Sequence, residues 1–194
     1  MLKDTLDLAV REVLGESIPI VGVSMMESSL LREAREKTGD RIARAWEEYL
    51  QGYSVGAIDM ALTSSFGMHC MVVEKGIDFS SLCMHHFMPF YGTVDIIYLP
   101  KDHICGLSKL SRVVDKYAKR FQLQELLGSC IANELWAALK PEWVIVRINS
   151  KHTCVGCRGV NKSGATLTTI TALGLGPDYT SSAEKAAEVC RNVL

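Results

Sequence analysis

Near residue 69 the hydrophobic periodicity of this chain changes, and that change most constrains its fold. Ahead of it, the first 55 residues read as helical. Leu6, Val10, Val13 and Leu14 fall on one stripe, and Ser24 with Glu27 forms a capping pair ahead of a helix running toward Lys37. Thr38-Gly39-Asp40 is expected to break that helix, and Arg41 to Leu50 resumes it. Beyond the change, His69–Val73 is short and β-prone, and Thr93–Leu99 is β-rich and stops at Pro100. Leu107, Leu110, Val114, Tyr117 and Phe121 then give a helical stripe. A second helix runs from about Gln122 to Leu139 and stops before Pro141. Trp143–Ile148 and the Thr-rich Ala165–Leu173 are strands, and Ser181 with Glu184 caps a last short helix.

The order strand, strand, helix, helix, strand, strand predicts an α+β domain, with antiparallel hairpins flanking a helix pair and the helices on one sheet face. The chain divides into an N-terminal helical segment, 1–55, and one larger unit, 56–194. A four-stranded sheet has two edges. A Thr-rich last strand can pair with a neighbouring subunit and remove them, so a homo-oligomer is expected.

Composition narrows the function classes. Nearly half the 194 residues are apolar and 22% are charged, which suits a packed core rather than disorder. A net charge of −1 argues against a bulk-basic nucleic-acid partner but leaves room for a local cationic cluster. No apolar run approaches the roughly 20 residues of a membrane span, so no membrane partner is expected. The start, MLKDTLDLAVREVLGE, carries charges throughout, unlike a signal peptide. A cytoplasmic location is expected. There the seven cysteines stay as thiols, and metal binding becomes the natural use of clustered ones.

Two clusters have that chemistry. Cys83-Met84-His85-His86 puts Cys and His three apart, able to converge on one ion at about 2.0 to 2.3 Å. His152-Thr153-Cys154-Val155-Gly156-Cys157-Arg158 offers one more thiolate, or two, and another imidazole. Three protein ligands leave a position for water, as catalysis needs; four close the site and make it structural. Lys109 and Arg112 are neighbours on one helix, Ser108 lies in its first turn where free N–H groups favour anions, and Arg158 follows the second cluster. A phosphate chain beside a metal would use them all; a solvated helix face is the plainer alternative. Glu125, in Gln122-Leu123-Gln124-Glu125, can accept from two N–H donors at once, as on the edge of guanine, or stand solvated on its helix.

Taken in order, Cys-x-His-His-x-x-Pro-Phe-x-Gly (83 to 92), Gly-Leu-Ser-Lys-Leu-x-Arg (106 to 112), Gln-x-Gln-Glu (122 to 125) and His-x-Cys-x-x-x-Arg-Gly-Val (152 to 160) resemble GTP cyclohydrolase I over roughly residues 38 to 175. The resemblance implies a tunnelling fold, a toroidal homodecamer with active sites at subunit interfaces, and conversion of GTP to 7,8-dihydroneopterin triphosphate with release of formate. It implies Zn2+ on Cys83, His86 and Cys154, and proton transfer by His85 and His152. It implies a triphosphate held by Ser108, Lys109, Arg112 and Arg158, and a guanine edge met by Gln124 and Glu125. Arg41, after Thr38-Gly39-Asp40 where the family has a Thr-Pro turn, matches a phosphate-contacting arginine less closely.

Three positions depart from the family pattern. Met84 stands where Glu is usual and Leu126 where Arg is usual, which suggests an ion pair replaced by apolar packing. Cys157 is the third: an inert buried thiol by preference, or else an oxidation-prone neighbour of Cys154 or a fourth ligand that closes the metal site. Two alternatives follow from these departures. One is a related enzyme that acts on another purine triphosphate or stops at a formylated ring-opened intermediate. The other is a non-catalytic, zinc-stabilised member, against which His85 and His152 both speak.

Overall fold

The computed structural model describes residues 4–5, 8–9, 25–68, 70–176 and 178–194. The stripe Leu6, Val10, Val13 and Leu14, the capping residue Ser24 and His69 lie outside the described residues. The chain forms two compact units, Met1–Leu50 and Gln51–Leu194.

In the first unit, helix α1 spans Met25–Tyr49 without interruption. The expected break at Thr38-Gly39-Asp40 is absent. One glycine costs a helix only about 1 kcal/mol, too little to end one of this length. Gly39 and Ala43 are buried one turn apart, so the small residues occupy a packed stripe. Glu33 bonds Lys37 at 3.4 Å and Arg41 at 3.2 Å, spanning the supposed break with exposed ion pairs.

The second unit is built on a five-stranded sheet in the order β5-β2-β3-β6-β7. Strands β2 (Val72–Cys83) and β3 (Pro89–Leu99) form an antiparallel hairpin, β6 (Trp143–His152) pairs with β3, and β7 (Leu167–Leu173) pairs with β6. A two-residue ladder joins β1 (Thr63–Ser64) to β4 (His103–Ile104). Between the hairpins lie α2 (Leu107–Ala118) and α3 (Gln124–Leu139). This is the α+β order expected, the plan of a tunnelling fold. The sheet has five strands rather than four, because β5 (Phe121–Gln122) pairs parallel to Leu82–Cys83 and delays the start of α3 to Gln124.

Alternation along the strands makes two cores. Val144, Val146 and Ile148 join Leu110, Val113, Val114, Leu127, Ile131 and Leu135 beneath the helix pair. Ile97 and Ile145 point the other way, against Ala186 and Cys190 of the last helix, α5 (Tyr179–Val193). Each such side chain taken from water contributes about 1.5–3 kcal/mol, which holds a helix on each face. Helices therefore cover both faces, not one. Helix α5 is also longer than expected, and its cap is Asp178, whose carboxylate accepts from the Ser181 N–H at 2.9 Å. The sequence pattern hid this because Asp178 caps without a Glu three residues on.

Gly92 shows how tightly β3 and β6 are joined. A Cβ there would sit 2.0 Å from the Asn149 carbonyl oxygen and 2.7 Å from Ser150 Cα. Only glycine permits that approach, next to the strand ends that carry the site.

Candidate active site

The strand ends place the chemistry. Cys83 closes β2 and is buried. The chain then turns rather than continuing extended. The Cys83 carbonyl accepts from the N–H of His86 at 3.2 Å and of Phe87 at 2.9 Å, and Phe87 takes a positive φ of 52°. The turn still parts the two imidazoles, whose rings stand 6.0 Å apart and nearly perpendicular. His86 swings back, its Nδ1 lying 3.6 Å from Cys83 Sγ, while His85 is exposed. From the other hairpin, β6 ends at His152 and the chain enters a single helical turn, α4 (Thr153–Gly156), which carries Cys154. Thr153 Oγ1 donates to the Pro89 carbonyl at 2.6 Å and ties that turn to β3.

The ligand atoms of Cys83, His86 and Cys154 thus lie within 4.8 Å of one another. Two thiols and an imidazole suit a borderline-soft divalent ion such as zinc. Burial pushes the Cys154 thiol up, and the neighbouring Cys83 sulfur pushes it further, while Arg158 opposes both. A cation between the sulfurs removes that penalty, so the donor set fits a metal. Cys157 stays out of the group and is exposed, contrary to the buried thiol expected: it follows the helical turn, its N–H bonded to the Thr153 carbonyl.

His152 packs flat on Phe90, ring centroids 4.6 Å apart and 5° from parallel. Burial lowers its pKa, and the Glu125 carboxylate opposes that. Gln124 is buried beneath the strand-end corner. It is 1% exposed, with its amide held by Ile148, Leu167, Thr169, Ser150 and His152. Its position at the first residue of α3 turns it inward under β6 and β7.

Lys109 and Arg112 line a groove of about 350 Å³ with Gln51, Asp59, Lys116 and Lys119. None of the three metal-site residues lines it. Sequence reasoning missed Lys116 and Lys119, although their spacing continues the same helical stripe. Lys116 is committed to Glu134 at 2.7 Å. Ser108 is exposed in the first turn of α2, and Arg41 belongs to the other unit, paired with Glu33.

A family model described as GTP cyclohydrolase I matches residues 21–191. The chain belongs to the GTP cyclohydrolase I family. Its relatives include GTP cyclohydrolase 1 of Clostridium perfringens, 43% identical over 145 residues, 74% of this chain and 78% of that protein. GTP cyclohydrolase 1 of Streptococcus sanguinis is 42% identical over 146 residues, 74% of this chain and 79% of that protein. The apo crystal structure of an archaeosine synthase QueF-like protein overlaps 55% of this chain and 96% of that one, at a TM-score of 0.45 and 22% identity. Among the described residues no helix is long and apolar enough to cross a membrane. Of the departures from the GTP cyclohydrolase I pattern, Met84 is 41% exposed and Leu126 45%, so neither is packed into this chain's core as expected of a replaced buried pair.

Proposed function

We propose that this chain is a zinc-dependent GTP cyclohydrolase that converts GTP to 7,8-dihydroneopterin triphosphate and formate. The observation that carries this is the convergence of two thiols and one imidazole, at the strand end that carries His152, in a member of that family. Cys83, His86 and Cys154 would hold the zinc, which would supply Lewis acidity and a water of lowered pKa.

The remaining steps fall to the side chains. His152, largely neutral because burial lowers its pKa, takes up a proton, and the exposed His85 delivers one to the opening ring. Glu125 accepts from the guanine N1–H and 2-amino group. Ser108, Lys109, Arg112 and Arg158 hold the triphosphate while the far end opens, loses formate, rearranges and recloses. Arg41 is a further phosphate contact in the family pattern.

The enzyme works as a homodecamer in the cytoplasm. Strand β7 is an edge of the sheet, with Leu167 and Ile170 exposed on it, and that supports pairing between subunits. Its seven free cysteines suit a reducing compartment. The test is incubation with GTP, with formate assayed and the oxidised pterin read by fluorescence. Both signals are expected. Formate without pterin points instead to an enzyme that stops at the ring-opened stage, the alternative that the exposed apolar Met84 and Leu126 favour. Bound zinc with no turnover leaves a non-catalytic scaffold.

A further inference from the structure

We propose that Gln124 is a positioning residue that locks His152 in the tautomer protonated on Nε2, leaving Nδ1 as its proton-transferring atom. This rests on the proposed role of His152 in proton transfer.

The amide has only one workable orientation. Its nitrogen lies 3.2 Å from the Ile148 carbonyl, 3.0 Å from the Leu167 carbonyl and 3.1 Å from Thr169 Oγ1. Backbone carbonyls only accept, so the end of the amide facing two of them must be the NH₂. Exchanging the two ends would set the amide oxygen against two backbone carbonyls in a buried site, a cost of several kcal/mol. The oxygen therefore faces the other way, toward Ser150 and His152. That oxygen has lone pairs and no hydrogen. Ser150 Oγ donates to it, and His152 Nε2 lies 3.0 Å away. A neutral imidazole has one N–H and one bare nitrogen. Because Nε2 meets an acceptor, it must carry the hydrogen, and Nδ1 is the bare nitrogen. Phe90, stacked 5° from parallel, holds the ring plane in which this bond is made.

Two backbone carbonyls on β6 and β7 thus decide, through one amide, which nitrogen of the imidazole is free. The two carbonyls, which can only accept, fix the direction of the whole chain. This also accounts for a glutamine at the start of α3: a glutamate there would point one oxygen at the two carbonyls, and a leucine would leave Ser150 and His152 unpaired.

Neutron diffraction of the metal-loaded protein crystallised from D₂O reads the tautomer directly and needs no variant. Deuterium on His152 Nε2 with Nδ1 bare is expected; deuterium on Nδ1 overturns the proposal. In solution, Gln124→Leu should lower kcat for formate release by about 10- to 100-fold, as losing an orienting partner does, with KM for GTP changed less than about twofold. A raised KM with kcat unchanged would put Gln124 on the substrate and overturn the proposal. Wild-type protein with Nε2 deuterated but releasing no formate would remove the proposed function while leaving the hold of Gln124 on the ring intact.

Discussion

At the strand-end corner, Thr153 is anchored to Pro89, His152 to Gln124 and Phe90, and Cys83 to a turn of its own backbone. Along α2, by contrast, Lys109, Arg112 and Lys119 make no side-chain hydrogen bond or ion pair among the described residues. Both regions come from the same sheet-and-helix unit. On the proposed function they serve different demands. A metal and a moving proton need atoms fixed to within tenths of an ångström, so each group is tied to a second one. An anion with several oxygens needs only charge at roughly the right place, which solvated lysines and arginines supply without being fixed beforehand.

Removing a fixed ligand should give the largest effect. Cys154→Ser should lose most metal and almost all formate release, while Cys157→Ser keeps both. Metal content by mass spectrometry decides this, and equal loss in the two variants would make Cys157 a fourth ligand.

Next in size are the two imidazoles outside the metal set. His85→Ala and His152→Ala should keep metal content and assembly but lose about 10²- to 10⁴-fold in turnover, the range for an acid–base group. Variants that still release formate near the wild-type rate would reduce both to structural histidines.

The cationic side should respond more gently and to a different variable. Lys109→Ala, Arg112→Ala and Arg158→Ala should each raise KM for GTP by about tenfold, the scale of one charge-assisted hydrogen bond. Added salt should raise KM in the wild type with kcat nearly constant, and guanosine should be a very poor substrate. If GTP and guanosine turn over alike, the stripe is only a solvated face.

The smallest effect belongs to the inner side of the same helix. Ser111 of α2 donates to Glu74 at 3.1 Å, but the second carboxylate oxygen of Glu74 is buried without a partner, and burial raises its pKa above 4.5. Protonation is favoured in the folded state, so the stabilisation is full below the unfolded pKa and is lost as pH rises through the folded one. Glu74→Gln should therefore raise stability slightly at pH 7, by under about 1 kcal/mol for so partly buried a group, seen as a higher melting temperature, and make no difference near pH 4. A lower melting temperature at pH 7 would contradict it.

What the sequence revealed follows the same division. Periodicity located β3, β6, β7 and both central helices, because burial of one face per element is a local pattern, but the strand expected at 69–73 instead runs from Val72 to Cys83. The metal-site candidates were legible because Cys and His at short spacing are rare and chemically distinctive. The partnership of Gln124 with His152 was not legible, since it joins α3, β6 and β7 through polar atoms that leave no periodic trace. Gly92 could be quoted as part of a motif, but its cause, the Asn149 carbonyl 2.0 Å from an added Cβ, belongs to a strand not yet formed at that point in the chain. The helix through Gly39 and the covering of the second sheet face by α5 were misjudged because a single glycine and a lone capping aspartate are weak signals beside tertiary packing.

Gly92 and its neighbours also fix when the metal corner can come into being. Cys83 and His86 belong to the first hairpin, while Cys154 follows the last residue of β6, with the whole helix pair in between. A growing chain that has made only β2 and β3 holds two of the three donors and cannot close the site. The third arrives when β6 has zipped along β3, a long-range pairing that proceeds slowly relative to the local helices. On the proposed function, a metal held by all three donors is therefore complete only once β6 has paired with β3.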